Sequence, residues 1–293
     1  GTKRAASVSL KQNYTNCGEI IVYYEAEGGS KTTEVPVLPG NYKVTFDVAG
    51  GQNFNSVQGL EAGSFTIERK TAQKEDFVFT APENLVYSGT AKAATAKLEG
   101  ADDITLKYYK EGIEAEPKNV GTYTVKATCA ESTYYGAVEE QEIGTFAINP
   151  LPIEIAWDGT ENLIYDGEIK TVTARVANAV AGDTVNITVS GNSGTEKGTY
   201  TATVTAVDNT NYTLIGGLDI RKEWAIAAGT NEITSLALDG WTYGDTANEP
   251  KASAKFGTPT FTYSDKENGA YSEEVPTDAG TYFVKATVQG TEN

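Results

Sequence analysis

A glycine followed two residues later by an aromatic, opening a run in which apolar and polar residues alternate, occurs four times: Gly40-Asn41-Tyr42-Lys43-Val44, Gly121-Thr122-Tyr123-Thr124-Val125, Gly198-Thr199-Tyr200-Thr201-Ala202 and Gly280-Thr281-Tyr282-Phe283-Val284. The glycines stand 81, 77 and 82 residues apart. A period of that length is the size of a small domain and too long for one rung of a solenoid, so the chain must fold as a string of similar units. Within the second copy, alternation places Tyr123, Val125, Ala127 and Cys129 on one side of a strand and Thr122, Thr124, Lys126 and Thr128 on the other, which is the pattern of a half-buried strand. Tyr42, Val44, Phe46 and Val48 repeat it, as do Tyr200, Ala202, Val204 and Ala206, and Tyr282, Val284, Ala286 and Val288. The opposite faces are mostly Thr, Lys, Asn and Asp and are expected in solvent. The glycine allows a tight turn into the strand. The tyrosine can then bury its ring while its hydroxyl bonds back to the backbone of the preceding corner, as in the tyrosine corner of immunoglobulin-like sandwiches.

Other landmarks keep step with the glycine. Fourteen positions on, an aromatic recurs as Phe54, Tyr135 and Tyr212, and each unit closes on an aromatic-x-Ile signature: Phe65-Thr66-Ile67, Phe146-Ala147-Ile148 and Trp224-Ala225-Ile226. Upstream lies a Tyr-x-Gly or Tyr-Gly turn, in ENLVYSG (Glu83 to Gly89), ENLIYDG (Glu161 to Gly167) and WTYGD (Trp241 to Asp245). The first copy lacks a clear version of this turn. The fourth reaches Asn293, thirteen positions past Gly280, where the recurrent aromatic is due, so the natural chain is expected to continue. The leading Gly1 in place of Met points the same way. Joins fall at Glu68 to Glu75, at Asn149-Pro150-Leu151-Pro152 and at Ala227-Ala228-Gly229-Thr230, which divides the chain into residues 1–72, 73–150, 151–229 and 230–293. Joins this short bring neighbouring units together and predict a semi-rigid, elongated array.

Composition agrees with strands: 17 Tyr, 9 Phe and 30 Gly accompany an absence of Met, and no helical periodicity runs through the chain. In the second unit, strands are expected over 76–80, 85–87, 93–98, 104–109, 122–129 and 144–148. The fold class is all-β: tandem small immunoglobulin-like β-sandwich domains in an elongated array. The alternative is a β-grasp-like module with one helix across a sheet, because Lys92-Ala93-Ala94-Thr95-Ala96-Lys97 could be helical in isolation.

The combination of Tyr-x-Gly, an acidic or proline-containing turn before Gly-Thr-Tyr-x-Val, then Asn-Tyr and Phe-x-Ile resembles the MBG/YDG-type repeat domains of bacterial cell-surface proteins. Residues 276–293, PTDAGTYFVKATVQGTEN, look closest, and the resemblance covers about residues 74–293. It implies an extracellular protein at the bacterial surface, in which tandem β-domains serve as a stalk or as adhesive modules. A carbohydrate- or protein-binding accessory region of a larger secreted glycan-processing enzyme is the alternative. No catalytic residues carry over.

The residues themselves agree with a non-enzyme. The chain has no histidine, which removes Ser-His-Asp and Cys-His catalysis and the commonest imidazole metal sites. Forty acidic against 23 basic residues give a net charge of −17, which repels phosphate backbones, so no nucleic-acid partner is expected. No apolar run is long enough to span a membrane. Catalytic, cofactor-binding and metal residues are therefore assigned as none, and the partner is an unknown extracellular protein or glycan bound by a monomeric chain. Several groups were weighed against simpler structural roles. Cys129 occupies the slot of Val48, Ala206 and Val288 and reads as a small buried hydrophobe, and a disulfide with Cys17 would need two different units to approach within disulfide distance. Ca²⁺ is possible at Glu99-Gly-Ala-Asp102-Asp103, Glu139-Glu140-Gln141-Glu142 or Asp265-Lys-Glu267-Asn268-Gly269, but none matches a spaced acidic loop and solvated turns explain all three. Trp157, Trp241, Tyr108-Tyr109 and Tyr134-Tyr135 could form a platform for sugars, although one ring of each doublet must face outward in any strand. Asn13, Asn186 and Asn211 begin Asn-x-Thr patterns that matter only in a eukaryotic secretory host.

Overall fold

In the computed structural model, residues 3–9, 18–215 and 220–290 are described. The fold is all-β. Among these residues the only helical element long enough to name is a single 3-10 turn at Lys74–Asp76. The chain divides into two compact units, residues 1–151 and 152–293.

The first unit begins with a three-stranded antiparallel sheet. Strands β1 (Ile20–Ala26), β2 (Gly40–Val48) and β3 (Val57–Ile67) lie in that order, with the Gly-x-Tyr strand β2 in the centre. Tyr24 and Val44 are buried on one face, where the amide of Ala6 donates to the Tyr24 hydroxyl at 2.7 Å. One residue breaks the expected pattern: Thr45, assigned to the solvated face, is buried, and its hydroxyl has no hydrogen-bond partner among the described residues. The register of β2 on β3 slips between Val44 and Thr45, and the resulting bulge draws Thr45 inward.

The second copy is the most completely built. Strands β4 (Phe77–Thr80) and β5 (Thr95–Leu98) form a two-stranded layer. Strands β6 (Thr105–Lys110), β7 (Ile113–Glu114), β8 (Gly121–Cys129) and β9 (Val138–Ile148) form a four-stranded sheet in the order β7-β6-β8-β9. Along β8 every second side chain is buried, from Tyr123 through Val125 and Ala127 to Cys129, as the alternation requires. Gly144 on β9 lets the two layers meet, because a Cβ there would stand 2.4 Å from the Phe79 ring.

In this copy the helical alternative is ruled out, the strand expected over 93–98 forming as β5, and one local expectation fails. The 92–97 segment is not helical: Ala94 and Leu98 are buried, Thr95 and Lys97 are exposed, and Ala94 N–H donates to the Tyr108 hydroxyl at 3.0 Å. Tertiary burial on a period of two overrides the helix preference of its alanines. Residues 85–87 make only an isolated parallel bridge, Val86 to Asn149, since Asn84 and Gly89, both at positive φ, bend the chain on either side.

The second unit opens with β10 (Leu151–Pro152) and then builds the third copy from β11 (Ile155–Asp158), β12 (Leu163–Ile164), β13 (Lys170–Thr171), β14 (Thr173–Val176), β15 (Ile187–Ser190), β16 (Ser193–Gly194), β17 (Gly198–Val207), β18 (Tyr212–Thr213) and β19 (Arg221–Ala227). Its main sheet runs β12-β19-β17-β15, and β12 lies parallel to β19. The small pairs β11-β14 and β13-β16 lie outside it. Val172, Ala202, Trp224 and Ile226 form the core, with Trp157, Leu163 and Tyr200 packed on it. The alternation along β17 holds only as far as Val204. A register slip between β15 and β17 leaves Ala206, expected inside, exposed and turns Val207 partly inward.

The fourth copy has two hairpin-like pairs, β20 (Ile233–Ala237) with β21 (Lys251–Ala254), and β22 (Thr260–Ser264) with β23 (Phe283–Thr287).

Candidate functional site

The recurrent tyrosine makes the same bond in all four copies. Tyr42, Tyr123, Tyr200 and Tyr282 each donate their hydroxyl to the carbonyl four residues upstream, at 3.0 Å to Leu38, 2.8 Å to Asn119, 2.6 Å to Glu196 and 3.2 Å to Asp278. The bond closes the corner that leads into the strand, and the preceding glycine gives it room: Gly40 and Gly121 have φ of +151° and +144°. In the first three copies the ring also faces the closing aromatic directly across the sheet. Tyr42 pairs with Phe65, Tyr123 with Phe146 and Tyr200 with Trp224, with centroids 5.5, 5.7 and 4.6 Å apart and planes within 21° of parallel. Offset aromatic pairs of this kind add about 0.5–1.5 kcal/mol beyond the burial of their area. Burial also raises the Tyr123 phenol above its usual pKa. The tyrosines thus maintain the fold and offer no hydroxyl free for chemistry.

The other residues weighed from the sequence fall into structural roles. Cys129 is buried at the end of β8, and burial pushes its thiol up, away from the thiolate a nucleophile needs. Cys17 and Asn13 lie outside the described residues. Trp157 packs against the third core and its indole nitrogen is enclosed, which removes it from any sugar platform. Tyr135 is buried, with its hydroxyl 3.2 Å from Asp76, whereas its neighbour Tyr134 is 38% exposed. The Asn186 amide donates to Asp208 at 2.7 Å. Among the described residues, no three His, Cys, Asp or Glu side chains gather as metal ligands.

The densest charged cluster is one that motif reading did not isolate. Lys107 on β6 and Lys126 on β8 stand directly opposite each other, a pairing that repels. Glu140 on β9 lies 3.3 Å from both ammonium groups, and Tyr109 donates to it at 2.8 Å. Lys126 also lies over the Tyr109 ring, 4.4 Å from its centroid. The Tyr109 hydroxyl, then Lys126 and Lys107, hold the Glu140 carboxyl below the ordinary carboxylate pKa. Every charge in this cluster has a partner, and Glu140 relieves the cross-strand repulsion of the two lysines. The sequence offered Glu140 within an acidic stretch and a lysine on each of two strands, without the register that brings them together.

In the fourth copy a groove of about 330 Å³ lies between Leu238, Gly240, Trp241 and Tyr243 on one wall and Gly280, Tyr282, Phe283 and Val284 on the other. Tyr243 is 72% exposed and Phe283 38% exposed. Trp241 is therefore the tryptophan that meets a surface site, and its neighbour Tyr243, read as a turn residue, belongs to the same wall.

No curated protein and no solved structure significantly matches the chain. The family model of the MBG domain matches two stretches, residues 78–150 and 240–292, which fall in the second and fourth copies. Both stretches contain the Gly-x-Tyr corner, and over them the chain is similar to the MBG domain, the repeat that the sequence resembles.

Proposed function

We propose that the chain is a non-enzymatic stalk or adhesin-type repeat region of a bacterial cell-surface protein, working outside the cell to present, or help bind, an extracellular protein or glycan. The observation that supports this best is the repetition itself. Each copy keeps the residues that close one corner, Gly-x-Tyr with its bond four residues upstream, while the loops and outer faces differ. Residues retained for holding strands together suit a mechanical role, and the MBG match agrees with a β-repeat of surface or secreted proteins. Single-molecule stretching of the chain tests the proposal. Discrete unfolding events that lose force when a corner tyrosine is replaced are expected, and featureless extension, or release of sugar from polysaccharides by the purified chain, overturns it.

A second reading, the binding accessory region of a secreted glycan-processing enzyme, is favoured by the exposed rings of Tyr134 and Tyr243. Glycan-array binding that disappears on Tyr243→Ala supports it.

A further inference from the structure

We propose that the recurrent aromatic segment, Tyr135 in the second copy and Tyr212 in the third, is a mechanical clamp. It ties the chain where it enters a copy to the stretch by which it leaves, so that tension along the chain bypasses the core; its use in the cell rests on the mechanical reading above. The aromatic recurs fourteen positions after the glycine, and the corner bond leaves it without a role. The fold gives it one. In the second copy the incoming chain lies parallel to this segment, with Lys70 beside Tyr135. The Lys70 amide donates to the Tyr134 carbonyl at 2.9 Å, the Gly136 amide donates to the Lys70 carbonyl at 3.1 Å, and Arg69 Nε donates to the Ser132 carbonyl at 2.9 Å. Tyr135 anchors the segment: its ring is buried, its hydroxyl lies 3.2 Å from Asp76, and the Lys70 ammonium pairs with the same carboxylate. In the third copy Tyr212 is likewise buried, donates to Asp183 at 2.6 Å and accepts from the Val180 amide at 2.8 Å. Beside it, the incoming Ile153 amide donates to the Thr213 carbonyl at 3.0 Å.

From each attachment the exit is close. Asn149 follows Tyr135 by fourteen residues, most of them in β9, and Ala227 follows Tyr212 by fifteen. The outgoing end also has a parallel neighbour. The Asn149 amide donates to the Leu85 carbonyl at 2.7 Å, and the Tyr87 amide donates to the Asn149 carbonyl at 2.8 Å. In the third copy β12 lies parallel to the end of β19, and the Tyr165 amide donates to the Ala227 carbonyl at 2.9 Å. Direction decides how such bonds are loaded. Tension draws the incoming chain toward its N-terminus and the outgoing strand toward its C-terminus, and for two parallel segments those pulls slide one along the other. Bonds sheared in this way share the load and break together, whereas bonds unzipped from one end break singly. In the second copy the pull therefore crosses from Lys70 to the Tyr135 segment and leaves through β9. Residues 77–129, which carry Tyr123, Val125 and Ala127, stay outside the load path until the clamp gives.

The test stretches the full chain by its two ends in optical tweezers, where the force of each event reports the unfolding barrier. Lys70→Pro removes the donor to Tyr134, and one event should shift to lower force while that of the third copy stays in place. Arg69→Ala removes only a side-chain bond, so the copy still folds, and the same event should shift by less. Moving the N-terminal handle to Ile113→Cys, on the exposed tip of the β6-β7 hairpin and in a Cys17→Ser background, lets the load enter without crossing Lys70. Both substitutions should then be silent. The clamp is overturned if neither substitution lowers the force between the chain ends, or if they lower it equally from Ile113→Cys, which would mark a general loss of stability. Either result, seen with discrete events, overturns the clamp alone; featureless extension overturns the mechanical reading with it.

Discussion

The second and fourth copies share a corner and differ in what lies beside it. Tyr123 is 1% exposed, and Val125 and Ala127 beyond it are fully buried. Tyr282, Val284 and Ala286 occupy the same places in the fourth copy and are only half-buried. The corner bond survives in both, at 2.8 and 3.2 Å. A tyrosine corner therefore forms locally, from a glycine, a turn and a hydroxyl within five residues. Turning that corner into a core requires a strand from 25 residues further on. The lesson is one of range: the motif sets direction, and the long-range pairing with β9 supplies most of the burial.

Five substitutions probe this difference, each followed by denaturant unfolding with hydrogen exchange read strand by strand. The largest effect is expected from Tyr123→Ala, which empties a fully buried ring site and should cost about 3–5 kcal/mol in the second copy. Tyr282→Ala should cost less than half as much, and equal losses would show that burial beside the corner is not what distinguishes the two copies. Next comes Gly144→Ala. A Cβ at that position meets the Phe79 ring at 2.4 Å, so overpacking should destabilise the second copy by about 1–3 kcal/mol and leave exchange in β22 and β23 unchanged. Removing the hydroxyl alone is milder. Tyr123→Phe leaves the Asn119 carbonyl without its donor and should cost about 1 kcal/mol, whereas water reaches the Asp278 carbonyl and Tyr282→Phe should be nearly silent.

The smallest effect is a pH dependence. The Lys70 side chain, then the Gln73 amide, holds Asp76 below its ordinary pKa. A carboxylate depressed in the folded state adds stability that is fully present above its unfolded pKa, about 4, and that disappears as pH falls through the lower folded value. The second copy should accordingly weaken below about pH 4, and Asp76→Asn should flatten that part of the curve. Because the carboxylate and its lysine reach solvent, added salt should shrink the effect.

Much of the architecture was legible in the sequence. Alternation along 121–129 named every buried side chain of β8, including a cysteine in a valine slot, because a strand between two neighbours has a strict period of two. The corner bonds were legible for the same local reason. What escaped was everything that depends on partners elsewhere. The closing strand β9 begins at Val138, six residues earlier than its aromatic-x-Ile signature implied, because Val138 to Ile143 carries three glutamates and a bulge with Glu140 at φ of +46°. Trp157, which could have joined a surface platform, packs against the core of Val172, Ala202, Trp224 and Ile226. The groove was invisible because its two sides, 238–243 and 280–284, are about forty residues apart in the chain and become neighbours only in the folded structure.

The sequence by itself determined the repeat, the strand faces away from bulges, the four corners and the unsuitability of the chain for histidine-dependent chemistry, since all of these follow from composition and from bonds spanning a few residues. Only the tertiary structure decided which apolar faces became cores. That outcome rests on a strand arriving from far along the chain to complete the ladder, as β9 does beside β8.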